Sequence, residues 1–338
     1  MQAKLHGMPK LSIIVPVYNV EPYIRPCLES IFKQGLDEND YEVIIVNDGS
    51  TDKSMEMIAD MICQHNNIII INQENQGLSV ARNNGIITAK GDYILMPDSD
   101  DLLIENSLKP LFEKALESHA DLIVADFLKM TDEQICNFQN IPHKEFSIQE
   151  KTGEELFIED LNPHECYVWR TLYRRAFIIE NELRFIPGVY CQDVPFTHKA
   201  YIKAKRCIRT HWLLNIYRKD RPQSATVSFG KKKALDYTII ISKTWELTKL
   251  TGLNPKVLRK LQNDIFTSFS VFTYKTFFVI KDNKCRKFLL KELKKNAPDL
   301  FFSNGFNQWI HSILFRFFPD LYFHFISLNI FLKKKFHH

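Results

Sequence analysis

Apolar, β-branched runs recur in the first part of the chain and alternate with segments of helical periodicity. They are Leu11 to Val17, Tyr41 to Val46, Ile68 to Ile71, Tyr93 to Met96 and Leu122 to Phe127. Continuous apolar strands that alternate with helices are typical of βα units around a parallel sheet, which is covered on both faces. The pattern therefore predicts an α/β fold.

Two helices stand out between these runs. Segment 55–62 has apolar residues at helical spacing, and Ser50 or Thr51 precedes it as a candidate N-cap. Segment 24–31 repeats the pattern, with Pro22 in a position where the opening turn tolerates proline. Both apolar stripes are expected to pack on the sheet.

The pattern changes further along the chain. Between about Thr131 and Pro163 the periodicity fades, which predicts a connection without another regular layer. Arg, Trp and Tyr are frequent from His164 to Val227, as in a polar ligand pocket, and Lys231 to His338 has few strand signals and predicts a helical appendage. The expected domains are 1–110, 111–228 and 229–338.

Composition adds a few bounds. At 338 residues and 45% hydrophobic the chain exceeds one typical domain, and its net charge of +4 gives no reason to expect a nucleic-acid partner. The seven scattered cysteines lack the paired spacing of a zinc site and are expected to be mostly reduced and buried, as in the cytosol. Neither a secretory signal nor an apolar stretch of about twenty residues is expected.

Polar segments follow three of the predicted strands, namely Pro16 to Asn19, Asn47 to Asp52 and Asp98 to Asp101. The carboxyl ends of parallel strands share one edge, so one crevice is expected to collect all three. Clustered carboxylates suit Mg²⁺ or Mn²⁺, which prefer carboxylate and phosphate oxygens. Asp and Ser also dominate turns and helix caps, and that alternative stays open from the residues alone. Dinucleotide and P-loop glycine patterns are absent, which argues against NAD enzymes and ordinary NTPases.

Four ordered motifs resemble the family 2 glycosyltransferases over roughly the first 225 residues. They are LSIIVPVYN from Leu11 to Asn19, EVIIVNDGSTD from Glu42 to Asp52, NQGLSVARNNG from Asn75 to Gly85, and DSDD from Asp98 to Asp101. The resemblance implies a GT-A fold, with a Rossmann-like, mostly parallel sheet flanked by helices. It also implies a nucleotide-diphosphate sugar donor, most often a UDP-sugar, inversion at the anomeric carbon, and a Mn²⁺ or Mg²⁺ cofactor.

In this resemblance the first domain binds the donor. Pro16, Tyr18 and Asp48 match positions that hold the nucleoside, and Asn19 belongs to the same segment. A carboxylate can accept the imide N–H of uracil, and an aromatic ring can cover the base. A turn residue is the alternative for Asp48, and Asn47 is the alternative for the base contact.

The phosphate end of the donor falls on other motifs. Arg82 matches a position beside the donor, where a guanidinium suits a diphosphate or a neighbouring carboxylate, with a solvated surface position as the alternative. Asp98 and Asp100, with Ser99 between them, match the motif that binds metal and diphosphate, and Pro97 stands where leucine is more usual.

The resemblance places the acceptor in the second domain. Inversion is a single in-line displacement, so the base must be a carboxylate on the face opposite the leaving diphosphate. Asp193 is the predicted base, with a helix cap as the alternative, and Gln192 stands beside it where a glutamate is common. An amide at Gln192 cannot ionise but can orient a sugar hydroxyl.

Two more segments match the acceptor side and the donor phosphates. Trp169 and Arg170, then Tyr173 and Arg174, resemble the acceptor region, although a buried core Trp is an equal alternative for Trp169. Arg218 and Arg221, with Ser224 and Thr226, look like the segment that closes over the donor phosphates, and a solvated loop is the alternative. His198 and His211 show no metal-ligand spacing, and most of the histidines are expected to be structural or surface residues.

The tail from Phe301 to Phe336 is rich in Phe, Tyr, Ile and Leu and ends on Lys333 to Lys335. Two interpretations remain: helices packed on the catalytic domain or on a second copy, which would be a homodimer, and an interfacial anchor whose basic end meets anionic lipid. Packing is favoured because apolar helical faces are usually core, and it predicts weak liposome binding at most.

The sequence therefore predicts an inverting, metal-dependent glycosyltransferase that works in the cytoplasm near the inner membrane face. Its expected acceptor is a glycan or a lipid-linked sugar in surface polysaccharide assembly, as the resemblance implies. The rivals are a catalytically silent nucleotide-sugar binding module, which Gln192 suggests, and a nucleotidyltransferase. The latter needs a Gly- and Lys-rich loop that Pro16 to Asn19 does not supply. The donor sugar, the acceptor and the linkage depend on geometry that the sequence leaves open.

Overall fold

The computed structural model describes residues 9–138, 146–219 and 229–336, with side chains as far as Asn329. Contacts divide the chain into two compact units. The sheet unit contains the described residues 9–138, 146–156, 167–188 and 203–219, and the helical unit contains 157–166, 189–202 and 229–336.

Nine strands of the described residues form one sheet in the sheet unit. They are β1 (Leu11–Val17), β2 (Tyr41–Asn47), β3 (Ile68–Asn72), β4 (Tyr93–Leu95), β5 (Leu102–Leu103), β6 (Leu122–Met130), β7 (Ile148–Lys151), β8 (Thr171–Arg174) and β9 (Cys207–Arg218). Their order is β3-β2-β1-β4-β8-β6-β9-β5, and β7 also pairs with β9.

Thirteen α-helices accompany the described strands. They are α1 (Ile24–Phe32), α2 (Ala59–Gln64), α3 (Leu78–Thr88), α4 (Leu108–Ser118), α5 (Asp132–Cys136), α6 (Gly153–Glu159), α7 (Arg175–Glu180), α8 (Asp193–Lys203), α9 (Lys231–Glu246), α10 (Pro255–Val279), α11 (Asn283–Asn296), α12 (Phe306–Phe317) and α13 (Pro319–Phe336). The alternation of strands and helices in the sheet unit confirms the predicted α/β class.

The first four strands form the parallel half of the sheet. Strand β1 pairs in parallel with β2 and β4, and β2 pairs in parallel with β3. Every residue of β1 is buried, which explains its unbroken apolar run. Val17 lies opposite Asn47, so the carboxyl ends of β1 and β2 are level. The polar segments that follow β1, β2 and β4 therefore leave the sheet at one edge, as predicted.

The other half of the sheet is mixed. Strand β8 is antiparallel to β4 and β6, β6 is parallel to β9, and β5 and β7 are antiparallel to β9. The prediction of no regular layer between Thr131 and Pro163 was wrong, since α5, β7 and α6 fall there. Strand β7 has the sequence IQEK and is nowhere fully buried. A short polar strand of this kind lacks the apolar run by which strands were predicted.

The helix predicted over 55–62 begins as a 3₁₀ turn at Glu56–Ile58 and continues as α2. Ser50 and Thr51 do not cap it. The backbone N–H of Ser50 donates to Asn47 Oδ1 at 3.0 Å, and that of Thr51 donates to Asn19 Oδ1 at 2.8 Å. Thr51 instead joins the ends of β1 and β2, as does Ser50, whose hydroxyl donates to the carbonyl oxygen of Val17 at 3.4 Å.

The helical unit contains no strand among its described residues, which agrees with the predicted helical appendage. Helix α10 contacts α9 and α13, and α12 contacts α13. One face of the tail is buried, at Phe315, Tyr322, Phe323 and Ile326. None of the described helices is long and apolar enough to cross a bilayer.

The cysteines depart from the expectation in part. All seven are free, but only Cys27, Cys166 and Cys207 are buried. Burial raises the pKa of each of these three thiols. The other four are exposed or half-buried because they lie on helix surfaces and in a loop.

Asp121 links three strands and gives a stability prediction. Its Oδ1 accepts from Arg174 Nη2 at 2.7 Å, and its Oδ2 accepts from the N–H groups of Lys205 and Arg206 at 2.9 and 3.2 Å. Burial opposes ionisation of this carboxyl, but these hydrogen bonds outweigh burial and lower its pKa below the usual value. The carboxylate therefore stabilises the fold above the unfolded pKa of about 4, and that stability is lost as the pH falls through the folded pKa.

We expect Asp121→Asn to lower the free energy of unfolding by about 1.5–3 kcal/mol at neutral pH, the range for hydrogen bonds to a charged group. Urea titrations at several pH values would measure it, with Asp92→Asn, an exposed carboxylate just before β4, as the control. The difference from wild type should begin to shrink below about pH 4 and vanish once the pH lies below the lowered folded pKa. A difference that stays constant as the pH falls would contradict this role.

Candidate functional site

An acidic turn joins the end of β4 to β5. Asp98, Asp100 and Asp101 each place a carboxylate oxygen there, and these oxygens lie within 4.8 Å of one another. Asp98 and Asp100 are half-buried, whereas Asp101 is only 2% exposed. The apolar strand β4 fixes the turn at the edge of the sheet where β1 and β2 also end.

The turn brings three carboxylates together, and one of them, Asp101, is buried. Asp101 Oδ1 accepts from the backbone N–H of Arg218 at 2.8 Å, but its Oδ2 has no hydrogen-bond partner among the described residues. Burial, together with the charges of Asp100 and Asp98, raises the pKa of Asp101 well above its usual range. A hard divalent cation fits this donor set, which consists of carboxylate oxygens only.

Arg82 supplies one positive charge to this turn. Its guanidinium is completely buried, donates to Asp98 Oδ1 at 2.5 Å and lies over the ring of Phe185 at 5.2 Å. The solvated alternative for Arg82 is therefore wrong. The sequence suggested that the Arg82 guanidinium lies beside a diphosphate or a carboxylate, and in the structure it lies beside the carboxylate of Asp98.

Arg218 lies beside the same turn and makes contacts within the chain. Its Nε donates to the carbonyl oxygen of Asp100 at 2.8 Å, its Nη1 pairs with Asp132, and its guanidinium lies 4.9 Å from the centre of the Tyr23 ring. Its side chain is 9% exposed. Arg218 thus holds the acidic turn in place, and its contact with donor phosphates stays a prediction.

The end of β1 presents one exposed aromatic ring. Pro16 lies buried in the strand, Tyr18 is 48% exposed, and Asn19 has a left-handed φ of 50°. Asn19 Oδ1 accepts from the N–H of Thr51, which fastens this turn to the segment after β2. The ring of Tyr18 is therefore accessible to a flat ligand such as a base.

Asp48 at the end of β2 is held by the chain itself. Its Oδ1 accepts from Gln73 Nε2 at 2.7 Å and from the N–H of Gln76 at 2.8 Å, and its Oδ2 accepts from the N–H of Gly77 at 2.8 Å. These bonds fix the segment that leads into α3, as the turn alternative implies. They leave the predicted uracil contact untested.

Asn47, the alternative residue for the base contact, is also engaged. Its side chain donates to Asn72 Oδ1 at 2.9 Å and accepts from the N–H of Ser50 at 3.0 Å. The contacts of Asp48 and Asn47 therefore do not decide which of the two side chains would bind the base. Ser99, in the acidic turn, is 6% exposed.

Trp169 lies in an aromatic stack rather than on the surface. It is 1% exposed, its ring stacks on Tyr167 at 4.7 Å and on Tyr217 at 5.7 Å, and Phe127 meets it edge-on at 4.8 Å. The core alternative describes this position. Tyr167 and Tyr217 are half-buried and are the exposed members of the stack.

The arginines near Trp169 form ion pairs within the sheet. Arg170 Nη2 lies 2.9 Å from Asp126 Oδ1, and Arg174 pairs with Asp121. His211 Nδ1 lies 2.8 Å from Asp126 Oδ2. These contacts give all three side chains structural partners. Arg221, Ser224 and Thr226 lie outside the described residues.

Asp193 is the first residue of α8 in the helical unit, and Gln192 precedes it with 5% exposure. The turn before α8 is tied to α9, because the N–H of Tyr190 donates to Asp236 Oδ2 at 3.2 Å. Lys233 Nζ lies 4.4 Å from the centre of the Tyr190 ring. The position at a helix start fits the capping alternative, and the role of Asp193 as base stays a prediction.

His198 anchors α8 from its buried side. It is fully buried, its Nδ1 lies 2.8 Å from the carbonyl oxygen of Val194, and its Nε2 lies 3.3 Å from Asp264 Oδ2 on α10. Lys260 Nζ lies 2.9 Å from the same carboxylate oxygen. The structural role expected for His198 therefore agrees with its position.

The sequence predicted the acidic segment Asp98 to Asp101 as a cation site, and the structure adds that Asp101 is its buried carboxylate. One feature of the site was missed in the sequence. Tyr217, at the end of β9, lies close to the acidic turn. Burial is the largest of the causes that raise its pKa to about 12, followed by the charges of Tyr167 and of Asp101, Asp100 and Asp98. The pairing of β9 with β5 brings it there, and no local pattern reports that pairing.

Comparison with known proteins identifies this arrangement. The family model "Glycosyl transferase family 2" matches residues 12–180, half of the chain. An uncharacterized glycosyltransferase from Bacillus subtilis, EpsJ, is 36% identical over 234 residues, which are 68% of this chain and 66% of EpsJ. TarS from Staphylococcus aureus, a poly(ribitol-phosphate) beta-N-acetylglucosaminyltransferase, is 30% identical over 203 residues, 59% of this chain and 34% of TarS. The chain thus spans less than two thirds of either relative.

Solved structures agree on the fold. TarS residues 1–349 in complex with UDP-GlcNAc match with a TM-score of 0.68 at 20% identity, covering 95% of this chain and 88% of that one. A mannosyltransferase from Pyrobaculum calidifontis in complex with GDP-Man and Mn²⁺ matches with a TM-score of 0.54 at 14% identity, covering 97% of this chain and 88% of that one. The predicted GT-A fold is confirmed, and the chain belongs to the family 2 glycosyltransferases.

Proposed function

We propose that this protein transfers a sugar from a nucleotide-diphosphate sugar to a glycan or lipid-linked acceptor during surface polysaccharide assembly. The cluster of Asp98, Asp100 and Asp101 at the end of β4, inside the family domain, carries this proposal. The TarS complex contains UDP-GlcNAc, which supports a UDP-sugar as donor. TarS acts on poly(ribitol-phosphate), which supports a surface-polymer acceptor.

Asp98 and Asp100 are the proposed metal ligands, and Asp101 adds its buried charge. A bound Mn²⁺ or Mg²⁺ would neutralise charge on the departing diphosphate. The Mn²⁺ in the mannosyltransferase supports this choice of cation. Arg82 pairs with Asp98 from the buried side. The proposed fit depends on the three carboxylates that converge at this turn.

The proposed reaction is a single displacement with inversion. The acceptor hydroxyl oxygen forms a bond to the anomeric carbon while the bond from that carbon to the diphosphate breaks. The hydroxyl proton passes to the carboxylate of Asp193. Tyr18, which is accessible at the end of β1, is proposed to cover the base. The cytoplasm, near the inner membrane face, is the proposed location because nucleotide-sugar donors and lipid-linked acceptors meet there.

Release of UDP from a panel of nucleotide sugars would test this function. We expect at least one UDP-sugar to be turned over in the presence of Mn²⁺, if only by slow hydrolysis, and turnover to stop with a chelator. Binding of donors without any release of nucleotide would instead favour the silent binding module. Release of pyrophosphate from a nucleoside triphosphate and a sugar phosphate would favour a nucleotidyltransferase.

A further inference from the structure

Charge is distributed very unevenly along this chain. Residues 229–338 contain 20 Lys and Arg against 7 Asp and Glu, whereas residues 1–228 contain 24 against 33. The net charges are therefore +13 and −9, which together give the +4 of the whole chain. The modest total conceals a strongly cationic helical region.

Helix α12 exposes an apolar stripe on the side opposite its core contacts. Phe306, Trp309 and Phe317 are 77%, 46% and 59% exposed, while Ser312 and Phe315 on the other side are buried. The stripe follows the helical spacing i, i+3, i+4, i+7 and i+11. Its members are Phe306, Trp309, Ile310, Ile313 and Phe317.

Helix α13 continues the apolar surface. Leu321 and Leu328 are 56% and 57% exposed and lie two turns apart, on the side away from the buried Tyr322 and Ile326. Phe318, between the two helices, is 54% exposed. Exposed apolar side chains are common singly, but a stripe that extends over two consecutive helices marks a contact surface.

A basic stripe on α11 flanks this surface. Lys287, Lys291 and Lys294 are all exposed and share one face of the helix. Lys287 Nζ lies 3.4 Å from Asp320 Oδ1, and Lys294 Nζ donates to the carbonyl oxygen of Arg316 at 3.0 Å. The lysines therefore lie beside the corner between α12 and α13, next to the exposed Phe317, Phe318 and Leu321.

We propose that this surface, the α12–α13 apolar stripe with the α11 lysines, docks on a bilayer that contains anionic phospholipids. Phe and Trp side chains enter the boundary between headgroups and acyl chains, and lysines beside them attract anionic headgroups. The inference goes beyond the proposed transfer and does not rest on it. It adds membrane contact, which the sequence analysis ranked second, to the packing that one face of the tail shows.

Two other occupants fit the surface less well. A soluble polyanion would pair with the lysines but leave the rings of Phe306, Trp309 and Phe317 in water. A second copy of the chain would cover those rings but bring two regions of net charge +13 together. Only an anionic lipid surface satisfies both the charge and the apolar side chains.

Flotation of the full-length protein with vesicles tests the proposal. We expect binding to phosphatidylcholine vesicles that contain phosphatidylglycerol and much weaker binding to phosphatidylcholine alone. Binding should fall as the salt concentration rises from about 0.1 to 1 M, because the Debye length shortens from about 10 to 3 Å. Equal binding to both vesicle types, or none to either, would overturn the proposal.

Two sets of variants separate the contributions. Lys287→Gln, Lys291→Gln and Lys294→Gln together should weaken binding to anionic vesicles roughly a hundredfold, since each lysine near the surface contributes a factor of about five. The matched control replaces the exposed Lys53, Lys90 and Lys109 of the sheet unit with Gln and should leave vesicle binding unchanged. An equal loss in both sets would show that only overall charge matters and would contradict a specific surface.

Trp309→Ser with Phe317→Ser should also abolish flotation, whereas Ile87→Ser with Ile179→Ser, exposed at 67% and 45% in the sheet unit, should not. Nucleotide release from free donor should be unchanged in all four variants, so failure here is distinct from failure of the proposed function.

Two outcomes would assign the surface to another occupant. A dimer in size-exclusion chromatography that the Trp309→Ser and Phe317→Ser substitutions dissociate would assign the surface to a second copy. Polyphosphate binding as tight as vesicle binding, and insensitive to the same pair, would also overturn the proposal.

Discussion

Asp193→Asn is expected to lower the rate of sugar transfer by about 10²- to 10⁴-fold, the usual contribution of a general base. An amide cannot accept the proton of the acceptor hydroxyl at neutral pH. Asparagine caps a helix as well as aspartate does, so the free energy of unfolding should be unchanged. UDP affinity should also be unchanged, because the proposed donor ligands lie in other segments. The rate is measured with saturating donor and acceptor.

Asp282→Asn provides the matched control for this variant. Asp282 is the N-cap of α11, where its side chain accepts from the N–H groups of Lys284 and Cys285 at 3.0 and 3.1 Å. The same chemical change at a purely structural helix start should leave transfer intact. If Asp193 only caps α8, both variants will stay active, and that outcome would remove Asp193 from the mechanism.

Asp100→Asn is expected to raise the Kd of UDP in Mn²⁺ by about 100-fold, since partners that only orient metal ligands already account for about 10–100-fold. Uridine, which has no diphosphate, should bind the variant and the wild type equally. Asp100 is a better choice than Asp98, because Asp98→Asn would also leave the buried guanidinium of Arg82 without its carboxylate.

Asp92→Asn is the control for Asp100. Asp92 is exposed and precedes the same strand, β4, that Asp98 and Asp100 follow. Calorimetric titration of each variant with UDP, in Mn²⁺ and in chelator, separates the metal-dependent part of the affinity. An Asp100→Asn protein that still gains affinity from Mn²⁺ as wild type does would place the cation elsewhere.

The parallel half of the fold was predictable because its signal is local. Strands β1, β2 and β4 are buried on both faces and β3 is half-buried. Each appears as an uninterrupted apolar run, and the observed bounds agree closely with the prediction. Strands β5 and β7 have two and four residues and owe their existence to pairing with β9. Such strands are formed by distant partners and carry little signal of their own.

The candidate site shows the same division. Asp98 and Asp100 were predicted from adjacency, and the structure brings them together. The partners of Asp48 and Arg218 were not predictable, because Gln73 and Asp132 reach them from segments 25 and 86 residues away. The buried position of Trp169 could not be predicted without its stacking partner Tyr217, which the order of strands in the sheet brings beside it. Motifs identify which side chains matter, whereas tertiary packing decides what each one contacts.

The tail illustrates a different limit. Apolar periodicity shows that α12 and α13 each have an apolar side, but it does not show that apolar residues also occupy the opposite side. Phe315 and Phe317 differ by two positions and point in opposite directions, one buried and one 59% exposed. Only burial separates the face that packs from the face that stays open.

The central claim is that Asp98 and Asp100, beside the buried Asp101, bind a cation that is shared with the diphosphate of the donor. Anomalous diffraction from crystals grown with UDP and Mn²⁺ tests it most directly. We expect one manganese peak within coordination distance of Asp100 and of a UDP phosphate oxygen, about 2.0–2.2 Å from each, as for hard divalent cations with oxygen ligands. Bound UDP with no manganese peak at the acidic turn, or with the peak at another set of residues, would contradict the account.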